Sequence, residues 1–257
     1  MSMIASTTVH SGIPAVDAYL DGNYDKVIGM SSRFAAAVCC GLMRIQSDLG
    51  VKGPVAELGA FEGRFFIALV KALRDGERAL GIDTFEWPNP QVLDRFEANC
   101  VRQNAPAEKR ITWKADSNKI SAAELLAKLD GEKVRLIHVD GEHTQAALTK
   151  DLELATAVIR DDGVIVLDDM LHPGYPTLML AVQAYLDRHP EMTVLCIIDR
   201  ESIFAATKFI LCKKTWFKKY EEGLLEAFRA NVWPMGANFE PHWCLVLALD
   251  TRLAPLE

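Results

Sequence analysis

Short apolar runs, rich in β-branched and aliphatic residues, recur along the chain between longer segments of mixed polarity. Five of these runs are predicted to be β-strands: residues 54–58, 79–83, 110–115, 134–140 and 163–168. The segments between them carry apolar residues at helical spacing, as at Phe65, Ala68, Leu69 and Ala72. Strands that alternate with helices pair in parallel, because right-handed crossovers place the helices on both faces of one sheet. The pattern therefore predicts a doubly wound α/β fold with a mainly parallel sheet.

Further patterned segments flank these five strands. An apolar stripe from Phe34 to Ile45 predicts a helix before the first strand. After the fifth strand, the runs 193–199 and 208–212 are joined by a short link that suits an antiparallel hairpin. A later apolar run, 243–249, is consistent with an edge strand, and the pattern leaves its place in the sheet open.

The length and composition fit one globular domain. The chain has 257 residues, of which 50% are hydrophobic and 25% are charged, and this balance is ordinary for a folded α/β protein. We predict a single domain over residues 1–257. Its parts are a helical N-terminal extension (1–50), a Rossmann-like core with a seven-stranded sheet (51–214) and a C-terminal extension (215–257).

Charge and cysteine usage narrow the class of protein. The formal net charge is −7, so the positive charge that dominates nucleic-acid binding has no obvious source. The six cysteines form no CxxC pair or zinc-ligand spacing. The N-terminal residues lack the pattern of a signal peptide, and no apolar run is long enough to span a membrane. We expect a cytoplasmic protein with a small-molecule partner, and the apolar extra helices favour a homo-oligomer.

The loop after the first predicted strand is a candidate ligand site, because ligands of open α/β sheets bind beyond the carboxyl ends of the strands. The loop lacks the G-x-G-x-x-G pattern of dinucleotide folds, and its carboxylates, Glu57 and Glu62, would repel a pyrophosphate. These charges suit a ligand with an ammonium and a sulfonium, such as S-adenosylmethionine. The predicted cofactor residues in this loop are Glu57, Gly59, Ala60, Phe61 and Gly63.

The ends of the next two strands extend this candidate cofactor site. Strand two ends at Asp83, followed by Thr84, and an acid here can accept the hydroxyls of a ribose. Strand three is followed by Asp116 and Ser117, which are placed to bracket an adenine ring. In this order, the three segments resemble the successive cofactor motifs of Rossmann-like methyltransferases.

Carboxylates end the fourth and fifth predicted strands. Strand four runs into Asp140, and strand five into Asp168 and Asp169. If these strands are neighbours, their ends lie about 5 Å apart. Like charges this close either raise a pKa or need a cation, and an all-oxygen set suits Mg²⁺, Mn²⁺ or Ca²⁺ rather than zinc. We predict a site for Mg²⁺ (or Mn²⁺) with ligands Asp140, Asp168 and Asp169.

Such a metal and a neighbouring histidine would make a hydroxyl reactive. A neutral hydroxyl is a poor nucleophile toward a sulfonium methyl group, and a bound metal lowers its pKa and fixes its direction. His143 lies three residues after Asp140 and has the ordinary pKa range of a general base. We therefore predict that His143 and Asp140 are the catalytic residues.

The segment VDGEHTQAALTKDLELATAVIRDDGVIVLDD resembles the metal-dependent O-methyltransferases that act on sugar hydroxyls of macrolides, and more loosely the catechol-type enzymes. That family's D-x-x-H motif supplies a metal ligand and the general base, which the resemblance assigns to Asp140 and His143. Its acidic pair after strand five matches Asp168 and Asp169. The family often has Glu where Asp168 stands, so this ligand is shorter by one methylene.

Other interpretations compete with this one. Asp140 or Thr144 can cap the following helix, and Asp168 or Asp169 can cap the next turn. An NAD-linked oxidoreductase on the same fold is an alternative function, and a noncatalytic cofactor-binding protein is another. The sequence leaves the methyl acceptor open between a sugar hydroxyl, a phenol and other small alcohols.

Overall fold

The protein folds into a large mixed sheet with helices on both faces. In a computed structural model, residues 9–239 and 241–251 are described, and they contain eight α-helices and nine β-strands. The helices are α1 (Pro14–Gly22), α2 (Arg33–Asp48), α3 (Arg64–Ala72), α4 (Val92–Arg102), α5 (Ala122–Lys128), α6 (Gln145–Val158), α7 (Leu178–Arg188) and α8 (Lys214–Ala227). The strands are β1 (Val55–Leu58), β2 (Ala79–Asp83), β3 (Arg110–Lys114), β4 (Val134–Val139), β5 (Ile159–Met170), β6 (Met192–Ile198), β7 (Thr207–Lys213), β8 (Ala237–Phe239) and β9 (His242–Leu247).

The strand order confirms the predicted doubly wound fold. The sheet runs β3-β2-β1-β4-β5-β7-β6-β9-β8, and its first five strands pair in parallel. Strand β7 is antiparallel to both β5 and β6, as expected for the C-terminal hairpin. The sheet is two strands wider than the predicted seven, because β9 pairs in parallel with β6 and carries β8 at the edge. The apolar run near the C-terminus is therefore next to the edge strand.

Two apolar layers enclose the sheet, one on each face. One layer joins α1, α2, α3, α4 and α8, and the other joins α5, α6 and α7. The predicted N-terminal helix is α2, and it is preceded by α1, which begins at Pro14 and was not predicted. All six cysteines are buried and unpaired. None of the described helices is long and apolar enough to cross a membrane.

The sheet topology brings the candidate residues to one edge. Strand β1 lies between β2 and β4, so the strand order reverses beside β1, which is where open α/β sheets bind ligands. The carboxyl ends of β1 to β5 therefore meet at that edge. The assignment of all 257 residues to one domain stays a prediction, since residues 1–8, 240 and 252–257 lie outside the described ranges.

Candidate functional site

The turn after β1 is pressed against the end of β4. Gly59 has a φ of +87°, and its amide donates to the carbonyl of Ile82 at 2.8 Å. The amide of Asp140 donates to the carbonyl of Leu58 at 2.8 Å. A Cβ atom at Gly59 would lie 1.7 Å from the carbonyl oxygen of Asp140, so no larger residue fits there without a backbone shift. Gly59 thus allows the turn after β1 to pack directly against the backbone of Asp140.

A cavity of about 610 Å³ opens at this edge, a volume typical of small-molecule sites. Six of the predicted cofactor residues line it, namely Gly59, Phe61, Asp83, Thr84, Asp116 and Ser117. Glu57, Ala60 and Gly63 do not line it. The lining includes four carboxylates and no lysine or arginine, and these acids are Asp83, Asp116, Asp140 and Glu142. The cavity therefore favours a cationic ligand.

Asp83 is held in place by the backbone. Its Oδ2 accepts the amide of Phe61 at 2.8 Å, and its Oδ1 accepts the amide of Phe85 at 2.6 Å. A carboxylate offers about four acceptor positions, so Asp83 keeps capacity for ribose hydroxyls. Asp116 has less capacity for a ligand than Asp83, because it accepts the amide of Asn118 at 3.0 Å and forms an ion pair with Lys119 at 2.9 Å.

The two acids of the first loop do not supply the charge that the sequence suggested. Glu57 is 2% exposed, and its Oε1 accepts a hydrogen bond from His138 Nδ1 at 2.8 Å. Burial raises the pKa of Glu57, although His138 opposes the shift. Glu62 is also buried and pairs with Arg95. The negative charge of the cavity comes instead from the four lining acids.

Asp140, His143 and Asp169 form a cluster beside the cavity, which we call the outer cluster. The Nε2 of His143 lies 2.8 Å from Asp169 Oδ2 and 3.4 Å from Asp140 Oδ1. The imidazole also stacks on the ring of Tyr175, with centroids 4.4 Å apart. Helix α6 is capped by Thr144, whose hydroxyl accepts the amide of Ala147. Asp140 is therefore not the N-cap of α6.

A β-bulge in β5 explains how two consecutive acids reach one rim. In a regular strand, adjacent side chains point to opposite faces. Here Leu167 pairs with Phe209 and Met170 pairs with Thr207, so the two acids between them face a single residue of β7. Asp169 has a φ of +57°, in the left-handed region. A bulge of this kind re-aims side chains.

The residue opposite that bulge is Lys208, which the sequence-based prediction missed. Its ammonium forms an ion pair with Asp168 and lies 3.0 Å from both Ser31 Oγ and His138 Nε2. We call these four residues the inner cluster. Lys208 has no exposed side chain, and Asp168 is 8% exposed. The one signal in the sequence was a lysine in an apolar strand, since buried lysines are nearly always paired.

The charges of the two clusters perturb one another. Burial would lower the pKa of His143, but hydrogen bonds to Asp140 and Asp169 raise it to about 10. Burial and the charge of Asp168 raise the pKa of Asp140 to about 7. Burial opposes the ionisation of Asp168, yet Lys208 holds the pKa of that carboxyl well below its usual range. As folded, Lys208 balances the charge of Asp168, and the protonated imidazole of His143 balances one charge of the outer pair, Asp140 and Asp169.

The outer cluster has the donor spacing of a metal site. A cation with ligands at about 2.1 Å places neighbouring octahedral ligands about 3.0 Å apart. One carboxylate oxygen each of Asp140 and Asp169 and one ring nitrogen of His143 lie within 4.8 Å of one another, close enough to surround a single cation. One donor atom each of Asp140, Asp168 and His138 also lies within 4.8 Å of the other two. The two carboxylates are oxygen ligands of the kind that Mg²⁺ or Mn²⁺ prefers, whereas an imidazole beside them suits a base rather than a ligand of Mg²⁺.

Asp151 is a buried carboxylate that the sequence-based prediction did not single out. It lies on α6 and is 1% exposed, and neither carboxylate oxygen has a hydrogen-bond partner among the described residues. A Cβ atom at Gly141 would lie 2.7 Å from Asp151 Oδ2. Asp151 therefore supports the loop that follows Asp140. Burial raises its pKa to about 6.

Asp151→Asn is expected to stabilise the fold at pH 8 by about 1–3 kcal/mol. Because the pKa of Asp151 is raised on folding to about 6, its stabilising effect is complete below about pH 4 and is lost as the pH rises through 6. The amide removes this loss, so the gain should disappear at about pH 4. Urea denaturation at both pH values measures it, with the exposed Asp187→Asn as control. An equal gain at both pH values would contradict the assignment.

Comparison with known proteins gives one match to a family model. Residues 56–170 match a model described as a methyltransferase domain. The matched segment begins in β1 and ends with β5, so it contains Gly59, Asp83, His143 and the acids of both clusters. No curated protein matches the sequence.

Solved structures share this fold at low sequence identity. The O-methyltransferase NovP is 12% identical, with a TM-score of 0.55 and a match over 71% of this chain and 80% of that chain. The O-methyltransferase from Bacillus cereus, in complex with SAH, is 14% identical. It has a TM-score of 0.54, and the match covers 78% of this chain and 90% of that chain. The O-methyltransferase TomG from Streptomyces achromogenes, in complex with SAM, is 16% identical. It has a TM-score of 0.52, and the match covers 78% of this chain and 89% of that chain. At such identities, the likeness is one of fold.

Proposed function

We propose that this chain, which has the predicted Rossmann-like methyltransferase fold and matches a methyltransferase-domain model over residues 56–170, methylates a hydroxyl group of a small molecule with S-adenosylmethionine. The observation that carries the proposal is the acid-lined cavity, which adjoins the outer cluster. Its four carboxylates favour a ligand with an ammonium and a sulfonium, and they disfavour the pyrophosphate of an NAD-type cofactor. NovP, TomG and the Bacillus enzyme are O-methyltransferases, which agrees with a hydroxyl acceptor.

The cofactor is proposed to lie across the ends of β1, β2 and β3. Asp83 would accept the ribose hydroxyls, and Ser117 would border the adenine. The backbone of the turn at Gly59 lines the cavity, so the chain of the cofactor would pass along it. The acceptor would enter on the side of Met30, Trp87 and Tyr175, which line the same cavity. Apolar and aromatic surfaces of this kind suit a sugar or phenolic ring.

The outer cluster is proposed to hold a divalent cation, Mg²⁺ or Mn²⁺. Bound by Asp140 and Asp169, the cation would lower the pKa of the acceptor hydroxyl and neutralise the two carboxylates. Asp168 was predicted as a third ligand, and its contacts with Lys208 and Ser31 argue for a different role. The cytoplasmic location and the homo-oligomer stay predictions.

His143 is proposed to remove the acceptor proton. While Asp140 and Asp169 carry free negative charge, they keep His143 protonated, so it cannot act as a base near neutral pH. If a bound cation neutralised those charges, Nε2 would be free to accept the hydroxyl proton. The acceptor oxygen would then form a bond to the methyl carbon of S-adenosylmethionine as the carbon–sulfur bond breaks, and the electron pair of that bond would stay on sulfur. The products are the methyl ether and S-adenosylhomocysteine.

Calorimetry and a transfer assay test this proposal. We expect S-adenosylmethionine to bind at micromolar strength and NAD⁺ to bind much more weakly. Labelled methyl groups should pass to one or more members of a panel of sugar and catechol hydroxyls. EDTA should lower this rate by more than about 100-fold, and added Mg²⁺ or Mn²⁺ should restore it. A rate unaffected by EDTA would remove the metal from the proposal, and tight NAD⁺ binding without S-adenosylmethionine binding would overturn it.

A further inference from the structure

Lys208 and Asp168 form a pair that the proposed reaction does not use. The pair lies at the bulge in β5, where Lys208 of β7 faces the two consecutive acids. Asp168 is 8% exposed, whereas the side chains of Asp140 and Asp169 are 24% and 19% exposed. Of the three acids, Asp168 is thus the one most withdrawn from solvent.

Both oxygens of Asp168 already have partners within the protein. Oδ1 accepts the amide of Asp169 at 2.8 Å. Oδ2 contacts the ammonium of Lys208 and accepts the hydroxyl of Ser31 at 3.1 Å. These contacts occupy three of the about four acceptor positions of the carboxylate, and a metal ligand must offer a free lone pair to the cation.

Lys208 is itself fixed in position. Its side chain is fully buried, and the ammonium lies 4.9 Å from the centre of the Phe65 ring. His138 Nε2 accepts from it, because an ammonium can only donate, and His138 Nδ1 in turn donates to Glu57. Removing Asp168 from Lys208 would leave a buried cation without its counter-ion, which is strongly unfavourable. The pair therefore resists separation by a second cation.

We infer that Lys208 holds Asp168 outside the metal site, so that only Asp140 and Asp169, of the three acids, bind the divalent cation. This inference rests on the proposed function, because it assumes that the outer cluster takes a metal. Lys208 is then a positioning residue. It neutralises the charge of Asp168, so that two carboxylates rather than three are available to bind the metal.

Mn²⁺ binding to the apo-protein, measured by electron paramagnetic resonance, tests the inference without an activity assay. Asp168→Asn with Lys208→Met removes both charges of the pair, so neither partner is left as an unpaired buried charge. This double variant should bind Mn²⁺ within about threefold of the wild type, whereas Asp140→Asn should bind more than about tenfold more weakly. Lys208→Met alone should bind about tenfold more tightly, because it releases a third carboxylate. Thermal melting followed by circular dichroism verifies that each variant is folded.

Lys213→Met is the matched control, because Lys213 lies on the same strand and pairs with the exposed Asp161. It should leave the Mn²⁺ affinity unchanged. The inference is overturned if the double variant loses as much affinity as Asp140→Asn, or if Lys208→Met binds Mn²⁺ no more tightly than the wild type. A wild-type protein that binds no Mn²⁺ would instead overturn the metal part of the proposed function, and the inference with it.

Discussion

Replacing His143 with alanine is expected to slow methyl transfer by about 10²–10⁴-fold, the usual contribution of a positioned general base. The imidazole is the one basic group of the outer cluster, and it lies within 2.8 Å of Asp169 and 3.4 Å of Asp140. Steady-state rates with an identified acceptor measure the effect. Calorimetry should give an S-adenosylmethionine affinity within about threefold of the wild type, because the loss concerns the proton-transfer step.

His172→Ala is a matched control for that experiment. His172 stacks on Tyr175, as His143 does, with ring centroids 4.7 Å apart. Its Nδ1 accepts the amide of Gly174, so it caps its own loop. We expect little change in rate from this variant. Equal losses for the two alanine variants would show that support of Tyr175, rather than proton removal, is what the rate depends on.

Replacing Gly59 with alanine is expected to destabilise the fold by roughly 2–5 kcal/mol and to abolish cofactor binding. The added Cβ would lie 1.7 Å from the carbonyl oxygen of Asp140, so the β1 turn and the β4 end must move apart. The positive φ adds strain to any L residue. Urea denaturation and calorimetry with S-adenosylmethionine measure the two effects.

Gly50→Ala separates strain from crowding. Gly50 has a φ of +81°, close to that of Gly59, but a Cβ atom there would meet nothing within 4 Å. This variant should cost only about 1–2 kcal/mol and should keep cofactor binding intact. If the two variants lost the same stability and both bound cofactor, the close approach between Gly59 and Asp140 would have no role in the site.

The fold was predictable because its central strands are buried on both faces. Such strands appear as continuous apolar runs, as in β1, β2 and β4 and the middle of β5, whereas the remaining predicted run corresponds to the partly exposed edge strand β3. The helix α1 was not predicted, although its buried residues Val16, Tyr19 and Leu20 follow helical spacing. The position of β9 in the sheet could not be predicted either, because the pairing partner of a strand depends on the path of the chain and not on the strand's own composition.

The site was predictable where its residues sit at strand ends. Asp83 ends β2, Asp140 follows β4, and the acid pair lies near the end of β5, so parallel pairing brings these residues to one edge. The side chain of Glu57 was less predictable, because its orientation depends on the register that sets it beside His138. Lys208 could not be placed, because its position depends on the antiparallel register and bulge of β5 and β7.

The hydrogen bond between Ser31 and Lys208 joins residues 177 positions apart. Contacts of such separation form late in folding, because closing the intervening loop costs entropy before any contact compensates for it. During synthesis, the ribosome must release the chain beyond β7 before Asp168 can meet its counter-ion. A nascent chain that ends after β5 already contains every acid of the two clusters, yet it lacks the lysine that neutralises the innermost one.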